Sequence, residues 1–215
     1  MFRRKTTTAH DTADPAPVEL AFPQSASREP GIWASLARAF PAFRHRNYRL
    51  FFLGQMISLI GTWIQNVAQS WLAYILTGSP FYLGLISFAS AVPVLLVSLW
   101  AGIVADRVPK RNLLLLTQST MMVLALVLAA LAFPGWVQPW HIVVLSCLLG
   151  LANTFDALAR QAFVIELVRR EDLMNAIALN SALFNSARII GPSLAGIVLG
   201  AFGLAWCFLL NGISF

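Results

Sequence analysis

Charged side chains are scarce in this sequence. Only 11% of its 215 residues are Asp, Glu, Lys or Arg, and none of these lies between Leu50 and Ala105. Ordinary soluble domains carry about 25% charged residues, whereas 58% of this chain is hydrophobic. The composition therefore excludes an ordinary soluble domain and predicts an integral membrane protein that is surrounded by the lipid bilayer.

Residues that carry enzyme chemistry are also few. The two cysteines, Cys147 and Cys207, lie in apolar segments without the spacing of metal ligands, so we interpret them as small buried side chains, and a disulfide between them has no support. The 3 histidines are isolated and no Walker loop is present. We therefore expect no catalytic residue, no metal site, no cofactor and no enzyme activity.

Basic charge is concentrated between the apolar segments. The net charge of +6 could indicate nucleic-acid binding, but the basic residues do not form one face of a soluble fold, so we expect no nucleic-acid partner. They precede the first apolar span and follow the second and the fourth, whereas residues 77–80 and 134–139 carry none. The positive-inside rule thus predicts a multi-pass protein of the bacterial inner or plasma membrane with a cytoplasmic N-terminus.

The chain divides into three parts. Residues 1–30 are polar and predict a disordered cytoplasmic tail, and residues 31–47 predict an amphipathic segment at the membrane interface, interrupted at Pro41. Residues 48–215 predict a transmembrane bundle with spans at about 50–76, 81–105, 112–133, 140–168, 173–199 and 204–215. The last span is only about half a bilayer long. We therefore expect an incomplete sixth helix and an N-terminal fragment.

A compact charged motif follows the second span, with the residues Gly102, Asp106, Arg107, Lys110 and Arg111. A glycine permits close helix approach, and an aspartate at a helix end can accept hydrogen bonds from a neighbouring helix N-terminus. The basic residues can bridge to acidic partners. The motif is thus predicted to be a cytoplasmic gate that closes in one conformation and opens in the other. The alternative is a plain basic loop.

This motif resembles the loop signature of the major facilitator superfamily, although Pro109 stands where most members have glycine. Residues 156–168, 169–181 and 185–196 resemble the branch that contains the enterobactin exporter and macrolide-type efflux proteins. Gly191, Pro192 and Gly196 resemble in part the helix-packing motif in the fifth helix of drug antiporters. The resemblance implies an all-helical fold of twelve helices in two six-helix halves, of which this chain would be the first and a C-terminal half its partner.

Polar side chains at helical spacing form stripes on three spans. The first carries Gln55, Ser58, Thr62, Gln65 and Gln69, the fourth carries Asn153, Asp156 and Arg160, and the fifth carries Ser181, Asn185, Arg188 and Pro192. In the family fold the first and fourth helices line a central cavity, with the fifth beside it. The resemblance therefore implies that these stripes form the path of a small-molecule substrate. The alternative is hydrogen bonding between helices.

Three ionisable side chains, Asp156, Arg160 and Arg188, are expected inside the membrane, where a charge costs at least ~2.5 to 3.5 kcal/mol. A static ion pair between Asp156 and Arg160, or a tie from Asp156 to the loop arginines, is one interpretation. The other is that Asp156 takes and gives the proton that drives export, unless the C-terminal half does so. Arg188 could hold an anionic substrate or a carboxylate of another helix.

These features predict a secondary active transporter that works by alternating access. We expect proton-coupled efflux of drugs, siderophores or similar amphiphilic metabolites. Two alternatives are open: an importer of a small polar metabolite, and a nontransporting half that only binds other helices.

Overall fold

The structure, a computed structural model, describes residues 40–215. The predicted tail and residues 31–39 of the predicted interfacial segment lie outside the described residues. The described part of that segment forms a 3-10 helix, Pro41–Arg44, in which Ala42 and Phe43 are buried.

This short helix is fixed to the region where the fifth long helix begins. The backbone N–H of Ala42 donates to Asn175 Oδ1 at 3.2 Å, and the Tyr48 hydroxyl donates to the carbonyl of Ala176 at 3.1 Å. His45 Nε2 lies 3.0 Å from Asp172 Oδ2. These contacts join two segments that are far apart in sequence at the same end of the bundle.

The described residues form six α-helices and no β-strand, which confirms the expected all-helical fold. The helices are α1 (Arg46–Thr77), α2 (Pro80–Arg107), α3 (Lys110–Ala132), α4 (Pro139–Leu167), α5 (Leu173–Phe202) and α6 (Leu204–Ser214). Five of them are long and apolar enough to cross a membrane. The sixth, with 11 residues, is shorter.

Local chemistry sets the turn between α1 and α2. Gly78 has a φ of 62°, a left-handed conformation that favours glycine, and its N–H donates to the carbonyl of Tyr74 at 2.8 Å. Ser79 Oγ accepts from the N–H of Phe81 at 3.3 Å, and Pro80 occupies the first helical position. The chain thus reverses within two residues and makes α1 and α2 antiparallel neighbours.

The packing consists of two equivalent three-helix repeats. Helix α1 packs mainly on α5 and α6, α2 packs on α4, and α3 packs on α4 and α6. Exchanging α1 with α4, α2 with α5 and α3 with α6 reproduces the same set of packed pairs. The repeats α1–α3 and α4–α6 therefore have the arrangement that internal repeats give to many transporter folds.

Two helix crossings are close enough to require glycine. A Cβ added at Gly150 in α4 would overlap the backbone of Ser90 in α2, and one added at Gly191 in α5 would overlap the Cβ of Trp63 in α1. Small residues at such crossings let helices approach closely in membranes. These contacts join each repeat to the other.

Large apolar side chains cover much of the outer surface. Leu95 and Leu99 on α2 are 82% and 78% exposed, and Ile189 on α5 is 73% exposed. A monomeric soluble protein rarely exposes contiguous apolar surface of this extent. The surface fits an environment of lipid or of further transmembrane helices.

Candidate functional site

A buried ion pair lies on α4 beside α3. Asp156 is 2% exposed and Arg160 is 7% exposed. The carboxylate oxygen Oδ2 of Asp156 pairs with Arg160 Nε one turn along α4, and Oδ1 accepts from the Thr117 hydroxyl at 2.9 Å. We call Thr117, Asp156 and Arg160 the charged bridge. Both carboxylate oxygens are thus occupied within the bundle.

A neutral counterpart joins α1 to α6. Asn211 Nδ2 donates to Gln65 Oε1 at 2.6 Å, and both side chains are buried. We call this pair the neutral bridge. Thr117 follows the first residue of α3 by as many positions as Asn211 follows the first residue of α6. The two bridges therefore occupy corresponding places in the two repeats.

Three other members of the α1 stripe also form hydrogen bonds inside the bundle, whereas the buried hydroxyl of Ser58 has no partner among the described residues. Gln55 Nε2 donates to Asn180 Oδ1 on α5 at 2.8 Å, and Gln69 Nε2 donates to the Ser146 hydroxyl on α4. Thr62 is half-buried, and its hydroxyl donates to the carbonyl of Ser58, one turn earlier, at 2.9 Å. Most of this stripe therefore faces neighbouring helices of the described bundle.

The polar residues of α5 face outward instead. Asn185 is exposed, and its Nδ2 donates to the carbonyl of Ser181 at 2.8 Å. Arg188 is also exposed, with its guanidinium carbon 5.8 Å from the ring centroid of Trp63 on α1. This distance is within the range of a cation–π contact. Neither side chain contacts the charged bridge.

A polar cleft of about 290 Å³ opens between α1, α4 and α5. Its polar lining consists of Gln55, Asn153, Asp156, Arg160, Gln161 and Asn180. Among the predicted path residues, Gln55, Asp156 and Arg160 thus line the same cleft. Thr62, Gln65, Asn185 and Arg188 are not among the residues that line it. We call this site the polar cleft.

Sequence reasoning did not single out a larger aromatic cavity beside α1. This cavity, of about 560 Å³, is lined by residues that include Trp63, Trp71, Tyr74 and Pro192. The three aromatic residues follow one another at i, i+8 and i+11, which places them within one face of a helix. That periodicity was available in the sequence, but large aromatic residues in an apolar span equally suit a face toward lipid.

The charged motif lies where α2 ends and α3 begins. Lys110 Nζ is 4.0 Å from Glu166 Oε1 near the end of α4, and the Glu166 side chain is 55% exposed. Asp106, Arg107 and Arg111 are exposed and form no ion pair with other described residues. A Cβ at Gly102 would meet no atom within 4 Å. Within the described residues, the motif thus reaches its own bundle through Lys110 alone.

Only part of the predicted helix-packing motif contacts the rest of the described bundle. Gly191 is buried against Trp63, and Pro192 is half-buried and lines the aromatic cavity. Gly196 is exposed, and a Cβ there would meet nothing within 4 Å. Within the described bundle only the first two residues of the motif contact α1 or the cavity beside it.

A comparison with known protein families identifies the family of this chain. Residues 37–215 match the family described as transmembrane secretion effector. The chain belongs to this family. It is thereby a member of the major facilitator superfamily, in the branch of the enterobactin exporters, as the loop motif and the segments that follow residue 156 suggested.

This secretion-effector family member is similar to three curated relatives. The staphyloferrin A transporter of Staphylococcus aureus is 28% identical over 168 residues, which are 78% of this chain and 42% of the relative. The enterobactin exporter EntS of Salmonella typhi is 29% identical over 176 residues, or 80% of this chain and 40% of the relative. The multidrug efflux pump Tap of Mycolicibacterium fortuitum is 29% identical over 150 residues, or 66% and 36%.

The family member thus spans less than half the length of these relatives. It has no match among solved structures.

Proposed function

We propose that this protein is a secondary active transporter that moves drugs, siderophores or similar amphiphilic metabolites out of the cell by alternating access. The observation that carries the proposal is the polar cleft, which contains a buried ion pair within helices apolar enough to cross a membrane. Intramembrane ionisable residues mark substrate or ion pathways in membrane proteins. The similarity to the three relatives, two of which are an exporter and an efflux pump, supports the same conclusion.

Alternating access needs a second bundle that faces the first. We propose that a C-terminal six-helix half covers the polar cleft and the aromatic cavity. Two observations support this: the chain matches less than half of each relative, and α2 and α5 expose large apolar side chains. The exposed Arg188 and Asn185 would then face that second half and the transported molecule, as would the exposed Gly196.

The charged motif is proposed to close the cytoplasmic end of this pathway. Its orientation rests on the basic residues, which cluster at the end where α1, α3 and α5 begin. The ion pair of Lys110 with Glu166 holds α3 to α4. Asp106, Arg107 and Arg111 remain exposed for partners in the second half, which would be engaged in one conformation and released in the other.

Proton coupling is proposed to reside at Asp156. It is the acidic side chain that lines the polar cleft, and its ionised form is held by Arg160 and Thr117. Protonation removes the charge that pairs with Arg160 and so changes the contacts across α3 and α4. The glutamines of α1 carry neutral amides, which do not ionise near neutral pH.

Efflux from bacterial cells tests the export proposal. Cells that express the complete reading frame should lose a panel of amphiphilic dyes and siderophores faster than cells with an empty vector. Equal retention of every compound by the two strains would reject export, and faster accumulation would favour an importer. Expression of residues 1–215 alone should give no efflux; transport by that form would reject the need for a second half.

Asp156→Asn tests the coupling residue. The variant should abolish the part of efflux that a proton uncoupler removes from the wild type, because an amide does not ionise near neutral pH and so cannot take up and release a proton. Glu171→Gln is the matched control, since Glu171 is an exposed acidic side chain outside the cleft. Efflux by Asp156→Asn that stays as sensitive to the uncoupler as the wild type would assign coupling elsewhere.

A further inference from the structure

We propose that the half of the bundle away from the charged motif binds an uncharged aromatic molecule that donates hydrogen bonds, such as one with a phenolic hydroxyl group. The site joins the aromatic cavity to a neighbouring polar pocket. The inference rests on the proposed function only in taking the bound molecule to be the transported one.

The first argument is that two cavities form one amphipathic site. A pocket of about 270 Å³ lies between α1, α2 and α4, and we call it the serine pocket. Its polar lining consists of Asn66, Gln69, Ser70, Ser87, Ser90 and Ser146. Asn66 and Ser70, one turn apart on α1, line the aromatic cavity as well. A ligand can therefore place an apolar body in the aromatic cavity and polar groups in the serine pocket.

The second argument is the hydrogen-bond chemistry of the serine pocket. Four hydroxyl groups already donate their proton to a backbone carbonyl of their own helix, those of Ser70, Ser87, Ser90 and Ser146. Because a hydroxyl has one proton and two acceptor lone pairs, these oxygens can only accept further bonds. Gln69 Nε2 donates to Ser146, which leaves Gln69 Oε1 as an acceptor without a partner among the described residues. The pocket therefore suits a ligand that supplies O–H or N–H donors.

The third argument is the aromatic face of α1. Trp71 and Tyr74 in the aromatic cavity are 48% and 44% exposed. Trp63 lies about four turns before the end of α1 at Thr77, roughly 20 Å along the helix axis. This is deeper than the interface at which Trp and Tyr residues usually anchor helices. Aromatic rings pack on one another in offset or edge-to-face arrangements, so the cavity should prefer an aromatic body to a saturated one of the same size.

The fourth argument is charge. None of the described residues that line the two cavities is charged. An anion would face the serine oxygens, and a cation would have no carboxylate to balance it where charge is costly. The guanidinium of Arg188, 5.8 Å from the ring centroid of Trp63, further disfavours a cation.

An uncharged molecule avoids both penalties. It also leaves the ion pair of Asp156 with Arg160 undisturbed in the polar cleft, so its binding is compatible with the proposed proton-driven export.

The test is a binding measurement on the protein expressed from the complete reading frame and reconstituted in lipid nanodiscs. Binding of tritiated β-naphthol, whose hydroxyl stays protonated at about pH 7, is measured by scintillation proximity. The signal of empty nanodiscs is subtracted to remove partition into lipid. The unlabelled competitors are β-naphthol, its methyl ether, which lacks the donor, its decahydro derivative, which lacks the aromatic rings, and β-naphthoate, which carries a negative charge.

The competitors should differ in a fixed order. Unlabelled β-naphthol should displace the tritiated compound at a concentration roughly tenfold lower than its methyl ether does, which is the value of one hydrogen bond. The decahydro derivative should be weaker than β-naphthol by a similar factor, because it lacks the ring contacts. β-Naphthoate should be the weakest competitor.

Variants assign each preference to one part of the site. Ser70→Ala/Ser87→Ala removes two acceptors and should reduce the preference for β-naphthol over its methyl ether. Trp71→Leu should reduce the preference for β-naphthol over the decahydro derivative. The control for the serines is Ser193→Ala, because the exposed Ser193 also donates to a carbonyl four residues earlier but lines neither cavity. Trp100→Leu, at a residue that is 68% exposed on α2, is the control for Trp71→Leu.

Three results would overturn the proposal: equal competition by β-naphthol and its methyl ether, stronger competition by β-naphthoate than by β-naphthol, or a change in a control variant as large as that in its matched variant. The order of competitors on the wild type needs no variant, so it decides the question even if a variant fails to fold. Specific binding without dye efflux would reject transport alone, and efflux without a preference for β-naphthol would reject this site alone.

Discussion

The neutral bridge and the charged bridge occupy corresponding places in the two three-helix repeats but differ in chemistry. Gln65 and Asn211 join α1 to α6 with uncharged amides, whereas Asp156 joins α4 to α3 with a carboxylate that also pairs with Arg160. Asp156 and Arg160 line the polar cleft, and Gln65 does not. At corresponding places of the repeat arrangement, the neutral bridge thus holds helices together, whereas the charged bridge places an ionisable group beside the proposed substrate path.

The largest expected effect is a loss of stability at the charged bridge, which should exceed any loss at the neutral bridge. Arg160→Met leaves Asp156 buried without its partner and should reduce the free energy of unfolding at neutral pH by about 3 to 5 kcal/mol. Thermal unfolding in detergent, followed by tryptophan fluorescence, measures the loss of stability.

The control for this prediction is the double variant Asp156→Leu/Arg160→Met, which removes both charges and should recover most of the lost stability. A single variant no less stable than the double variant would show that the ion pair is not what distinguishes this repeat.

The second expected effect is a difference in stability between variants at two helix crossings, that of α2 with α4 and that of α1 with α6. Gly150→Ala places a methyl group against the backbone of Ser90, whereas the nearest atoms that Gly61→Ala meets belong to the side chains of Asn211 and Ser214. Gly150→Ala should therefore cost about 1 to 3 kcal/mol in unfolding free energy and Gly61→Ala less. Gly196→Ala meets nothing within 4 Å and is the control. A larger loss for Gly61→Ala than for Gly150→Ala would contradict the assignment of the tighter crossing to α2 and α4.

A third and smaller effect is expected at the neutral bridge. Gln65→Leu leaves the Asn211 amide without its acceptor and should cost about 0.6 to 1.7 kcal/mol, the range measured for hydrogen bonds between membrane helices. The loss should be independent of pH, because both side chains are neutral amides. Its size is obtained from a double-mutant cycle with Asn211→Leu, and a pH-dependent coupling energy would show that the bridge senses a charge.

The smallest effect is expected at the surface of the bundle. Lys110→Gln breaks the ion pair with the exposed Glu166 side chain and should change the unfolding free energy by less than about 1 kcal/mol. Glu166→Gln should give a similar value. If either variant nevertheless reduces efflux several-fold, the contact acts in the gate; a loss of stability equal to that of Arg160→Met would show a structural tie instead.

Much of the helical architecture follows from hydropathy and charge. Apolar runs separated by basic or turn residues predict the order of the helices, and the spacing of Asp156 and Arg160 predicts their ion pair. The observed helices include charged ends, such as Arg46 in α1 and Arg107 in α2, because backbone hydrogen bonding continues beyond the apolar run.

The surroundings of each stripe could not be predicted in the same way. Periodicity shows that Gln55 and Gln65 share a face of α1, but it does not show that one meets Asn180 on α5 and the other Asn211 on α6. Those partners depend on how six helices pack, which is set by contacts between residues remote in sequence. For the same reason, the inward direction of the α1 stripe and the outward direction of Arg188 emerge only in three dimensions.

The long separation of these partners has a consequence for biosynthesis. Gln65 accepts its hydrogen bond from a residue 146 positions later, and Gln55 on the same helix donates to one 125 positions later. During translation the first helix therefore enters the membrane long before either partner has left the ribosome. Its amides must be satisfied meanwhile by water, lipid headgroups or the insertion machinery, so α1 enters the membrane early but obtains its polar partners late.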